Sequence, residues 1–199
     1  MENKTLAEQI IGLKKKDEEL RQLLVESGEL FDGYNERMEA LHNSNAAELN
    51  QIIEQIGLPT ADKVGKEASA AAWLIIQHAI SQPNFMKKCL LLLEKAVKSD
   101  KTNPIHLAYL TDRIAVFEGT PQPYATQFDW DENGELTPSP YDDLDKVNQR
   151  RKSIGLNPLE EQIRVMRERA KQENDLPPED LEQRRQEYNK WRRSVGWIK

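Results

Sequence analysis

At 199 residues, with 38% hydrophobic and 31% charged, the chain has material for one ordinary domain, or a domain with a helical extension. A net charge of −6 argues against a wholly basic nucleic-acid binder. The longest apolar run, Cys89-Leu90-Leu91-Leu92-Leu93, is far short of the roughly 20 residues that span a bilayer. No secretory pattern follows Met1, and the single cysteine permits neither an internal disulfide nor a thiolate zinc site. A reducing, cytoplasmic setting is therefore expected.

Helical periodicity starts at once. Leu6, Ile10, Leu13, Leu20 and Leu24, with Ile11 and Leu23 between them, predict a first helix that Asn3 or Thr5 caps and Gly28 ends. A second is predicted from Gly33 to about His42, with Met38 and Leu41 inward. Asn45 and Glu48 have capping-box spacing and open a third, which carries Leu49, Ile52, Ile53 and Ile56 to Gly57. A loop with Gly and Pro punctuation follows to Gly65. From Lys66 or Glu67 to Ala79 the chain is alanine-rich, and Trp73 to Ile76 make it apolar on nearly every side, so this helix is expected to be central. Pro83 or Asn84 starts the next, to about Lys98, with Phe85, Cys89, Leu92, Leu93 and Val97 inward. Pro104 opens another, whose inward face is Leu107, Leu110, Ile114 and Phe117, and Gly119 ends it.

Residues 119–142 differ. Four prolines and four aromatics predict an ordered irregular loop, and Asn133-Gly134 predicts a small hairpin between Phe128-Asp129-Trp130 and Glu135-Leu136-Thr137. Helices are then predicted from Asp142 or Asp143 to Ile154, from Pro158 to about Glu173, and from about Glu179 to Arg193. The fold class is all-α: a multi-helix orthogonal bundle with one long loop or small β-hairpin. Residues 1–159 would form the helical domain that carries the site, and 160–199 a C-terminal helical extension. Cations outnumber anions after residue 142, so the acidity belongs to the earlier part, and the exclusion of nucleic acid is weaker for the tail. Trp191 and Trp197 beside Arg192-Arg193 suit docking of the last helix on the core, or else contact with a protein partner's helix or with nucleic acid, and docking is the favoured reading.

Three segments carry candidate chemistry. Gln77-His78 ends the most apolar helix, where an imidazole suits acid–base work or a plain structural hydrogen bond. Asp112 and Arg113 flank an apolar stripe, with Tyr109 one turn before Arg113; the arginine suits an anion clamp or a structural ion pair. Gln122, Tyr124, Thr126 and Gln127 supply neutral hydrogen-bonding groups in the loop. His42 and His106 have no His or Cys partner at metal-ligand spacing. Asp129, Asp131 and Asn133 imitate half of a calcium loop, but its twelfth position is Pro140, so a hairpin is the better reading. No metal or cofactor is expected.

These blocks occur in a telling order: Gly57-Leu58-Pro59-Thr60, Val64-Gly65, Ala72 to Ala79, Ala108 to Ile114, Gly119, Pro121 to Gln127, Val147 to Arg151 and Gly155-Leu156. Between about Asn45 and Leu159 the chain resembles a family of uncharacterised bacterial helical proteins, catalogued as a domain of unknown function. The resemblance implies a polar site built from Gln77, His78, Asp112, Arg113, Gln122, Tyr124, Thr126 and Gln127. Arg150 and Arg151 would add positive charge. Where the family reads Tyr-Gly-Thr-Gln, this chain has Ala125. The expected function is a pocket for a small anionic ligand, with metal-independent hydrolysis or transfer as its chemistry. His78 and Asp112 would be catalytic, and Tyr109, Arg113 and the loop would hold the ligand. The alternative is a non-catalytic interaction or structural domain with a buried polar network.

Overall fold

The computed structural model describes residues 3–31 and 34–199. Among them the chain is all-α apart from one two-stranded sheet. It divides into two compact units, residues 1–103 and 104–199. Among the described residues no helix is long and apolar enough to cross a membrane.

The first unit holds α1 (Lys4–Glu26), a 3₁₀ turn (Glu29–Phe31), α2 (Glu36–Ile56), the short α3 (Ala61–Val64), α4 (Lys66–His78) and α5 (Pro83–Lys98). The expected start of a helix at Gly33 lies outside the described residues. Asn35 caps α2, its Oδ1 accepting from the N–H groups of Arg37 (2.9 Å) and Met38 (3.3 Å). One helix runs where two were expected, because Asn45 is not a cap. It lies inside α2, buried, and its amide donates to the Leu13 carbonyl of α1 at 3.2 Å. A tertiary partner overrides the local capping preference. At the far end Gly57 takes φ +70°, and the Lys63 ammonium donates to the Ile56 and Leu58 carbonyls.

Helix α4 packs on α1, α2 and α5. Ala68, Ala71 and Ala72 are buried on it and let neighbouring helices approach closely, while Ile75 and Ile76 fill the interior with Ile10, Leu13, Leu49 and Ile53. Each such aliphatic side chain contributes about 1.5–3 kcal/mol by leaving water.

The second unit holds α6 (Pro104–Glu118), β1 (Phe128–Trp130), β2 (Leu136–Pro138), α7 (Leu144–Ser153), α8 (Leu159–Glu173) and α9 (Leu181–Ser194). The hairpin is antiparallel and pairs Phe128 with Pro138, Asp129 with Thr137 and Trp130 with Leu136. Asp131 Oδ1 accepts the N–H groups of Asn133 and Glu135, both at 2.9 Å, so it shapes the turn. Tryptophan docking is seen directly: the Trp191 and Trp197 rings lie 5.6 and 5.0 Å from that of Phe117 on α6.

Arg151 on α7 is 1% exposed and, among the described residues, has no carboxylate in hydrogen-bond contact. Its guanidinium donates instead to the carbonyls of Asn157, Tyr124 and Ala125 and to the Asn157 side chain, at 2.7–3.3 Å. Lysine has one compact donor group and cannot span these acceptors. Arg151→Lys is therefore expected to cost about 2–4 kcal/mol in urea unfolding. A loss below about 0.5 kcal/mol would mean that the fork does not hold the loop.

Candidate functional site

The sequence-predicted residues fall into two polar clusters, one in each unit. In the second unit the structure gathers Asp112, Arg113, Gln122, Tyr124, Thr126 and Gln127. Asp112 is fully buried on α6, and its two oxygens accept the N–H groups of Tyr124 (3.0 Å) and Thr126 (2.7 Å). Gln122, equally buried, donates to the Gln127 and Ser139 carbonyls and accepts from the Gln127 N–H at 2.8 Å. Arg113 Nε donates to Gln127 Oε1 at 3.2 Å, and Gln127 Nε2 donates to Thr126 Oγ1. Tyr109 is half-buried and close enough to act on the charge of Arg151. Arg150 pairs with Asp142 at 2.9 Å and donates to the Pro123 carbonyl. Ala125 sits in the left-handed region at φ +52°, fully buried against Val147 and Leu159. A glycine would adopt that φ without strain.

A cavity of about 460 Å³ in this unit is lined by Gln127, Tyr188 and three arginines, among other residues. Its cations are engaged: Arg184 with Asp129, Arg185 with Glu132, and Arg192 with the Val116 and Phe117 carbonyls.

In the first unit His78 is the last residue of α4, with Gln77 half-buried beside it. Its Nδ1 lies 3.0 Å from Asp17 Oδ2. Asp17 projects from α1 and is 1% exposed. The same oxygen lies 3.0 Å from Nε2 of His42 on α2. The two imidazole centroids are 4.9 Å apart. His42 Nδ1 is 2.7 Å from the Tyr34 hydroxyl. Burial pushes the Asp17 carboxyl up, but contact with His42 and His78 outweighs this and holds it well below the usual carboxylate range. His78 alone keeps a substantial opening, its side chain 29% exposed against 8% for His42. Asn43 and Gln82, one residue past His42 and four past His78, help line a cavity of about 390 Å³ with Asn50, Asn84 and Lys88.

Sequence spacing offered His42 no partner; helix packing supplies two. Sequence reasoning misses Asp17 and sets His42 aside, although both interrupt apolar stripes. Asp17 follows Ile10 and Leu13 at helical spacing, and His42 lies between Met38 and Leu49 on the buried face of α2. A charged or polar group on a buried face is the available signal.

Residues 4–172 match the Family of unknown function (DUF6624), and the chain belongs to this family. No curated protein and no solved structure matches it. The match is wider than the blocks between Asn45 and Leu159 suggested: it takes in α1 with Asp17, and nearly all of α8.

Burial pushes the Asp112 carboxyl up to about 6, against the opposing pull of the Tyr124 and Thr126 N–H groups. A native pKa above the unfolded value means that the folded state holds the extra proton. The contribution is fully present below about pH 4 and lost as pH rises through about 6. Denaturation curves at pH 4 to 7 are expected to show wild type losing stability relative to Asp112→Asn across that window. A difference that stays constant with pH would remove Asp112 as its source.

Proposed function

We propose that the protein is a hydrolase or group-transfer enzyme whose reacting centre is the Asp17–His42–His78 cluster. The observation that carries this reading is a buried carboxylate oxygen 3.0 Å from two imidazole nitrogens, with one of those rings opening to solvent. In the metal-free protein Asp17 orients His78 through Nδ1, which leaves Nε2 for a water or substrate hydroxyl. The negative charge of Asp17 stabilises the imidazolium formed when that proton is taken. The nearby cavity, lined by amide side chains together with Ala46, Ala47 and Phe85, supports a small substrate with both polar and apolar parts. Asp17, rather than Asp112, takes the orienting role in this reading.

We read the other cluster as structural. Both Asp112 oxygens already receive backbone N–H groups, and Gln122 ties three points of the loop together. Arg113, Tyr109, Tyr124, Thr126 and Gln127 then serve loop geometry and not an anionic ligand.

The test is turnover of a panel of activated esters, phosphoesters and amides. His78→Gln is expected to lower the wild-type rate at least ~100-fold while circular dichroism and the thermal midpoint persist. Equal rates in variant and wild type would take His78 out of the chemistry.

A further inference from the structure

We propose that Asp17, His42 and His78 bind one divalent transition-metal ion of the zinc type, an inference that rests on reading this cluster as the reacting centre. Three helices each contribute one ligand atom, and the three atoms lie within 4.8 Å of one another. The carboxylate oxygen is 3.0 Å from each nitrogen. Metal bonds of about 2.0–2.1 Å place neighbouring ligand atoms roughly 2.9–3.4 Å apart in octahedral or tetrahedral shells. These two carboxylate–nitrogen separations are those of a coordination edge.

A second, independent observation comes from His42. Its Nδ1 lies 2.7 Å from the Tyr34 hydroxyl, and its Nε2 is buried without a hydrogen-bond partner among the described residues, although Asp17 Oδ2 is only 3.0 Å away. A buried ring nitrogen and a carboxylate oxygen that face each other at that distance with no hydrogen bond between them form a site for a cation. The Tyr34 hydroxyl then stands at the other ring nitrogen, where an outer partner of a metal-bound histidine sits.

Two imidazoles and one carboxylate favour zinc and its first-row neighbours over calcium or magnesium, which prefer oxygen ligands. Three protein ligands leave at least one position for water, and the exposed side of His78 is where it enters. A water so bound ionises near neutral pH and would be the nucleophile of the hydrolytic reading.

The experiment uses tag-free, chelator-stripped full-length protein. Cobalt(II) is titrated with visible absorption as readout, followed by zinc displacement and metal analysis. One equivalent of cobalt is expected, with ligand-field bands that zinc abolishes. His78→Gln should weaken binding by at least ~100-fold and Tyr34→Phe by ~10–100-fold, while His106→Gln leaves it unchanged. Circular dichroism checks folding, and the partly exposed His78 keeps the test valid if Asp17→Asn fails to fold. Substoichiometric binding, or binding unaffected by His78→Gln, overturns the proposal. Protein that binds no metal yet loses turnover in His78→Gln overturns the metal and keeps the reacting centre. Stoichiometric binding through these residues without turnover on any substrate supports the metal and removes the hydrolytic reading.

Discussion

Asp17 imposes the strictest constraint on the first unit. A carboxylate moved from water into a helical interior costs several kcal/mol unless neighbouring groups replace its solvation. Here His78, on another helix, is hydrogen-bonded to one of its oxygens, and His42, on a third, lies 3.0 Å from the same atom. Apolar contacts among Ile10, Leu13, Leu49 and Ile75 would tolerate several axial positions, whereas directional polar contacts admit one. Asn45, bonded to the Leu13 carbonyl one turn from Asp17, adds a second tie of the same kind. The cluster that joins α1, α2 and α4 is thus also the one on which the proposed chemistry rests.

The second unit solves another problem, that of a long loop between helices. Backbone groups buried in such a loop need partners. Asp112 accepts two of its N–H groups, Arg151 takes carbonyls of Tyr124 and Ala125, and Gln122 serves both polarities. With Asp112 and Arg151 both drawn into backbone hydrogen bonds, the polar residues of the loop function as its scaffold. That division of labour separates two clusters that a reading of motifs alone would merge into one pocket.

Much of the fold was legible. Proline at Pro83 and Pro104, glycine at Gly57 and Gly119, and the Asn133-Gly134 turn mark element ends by local backbone chemistry, which needs no distant partner. Asn45 misled because its capping preference is local and its true partner, the Leu13 carbonyl, lies 32 residues away. Family membership was legible too, since the motif blocks between Asn45 and Leu159 fall within the matched residues.

The sequence by itself determined the helices, the hairpin and His78 as a candidate for chemistry, because periodicity, caps and residue type are short-range properties. Only the tertiary structure decided what His78 works with. Asp17, His42 and His78 are 25 and 36 residues apart in succession and share no motif. Their convergence comes from the packing of α1 and α2 against α4, where small alanines allow close approach and a buried charge demands partners. No spacing rule along the chain encodes which helix faces meet.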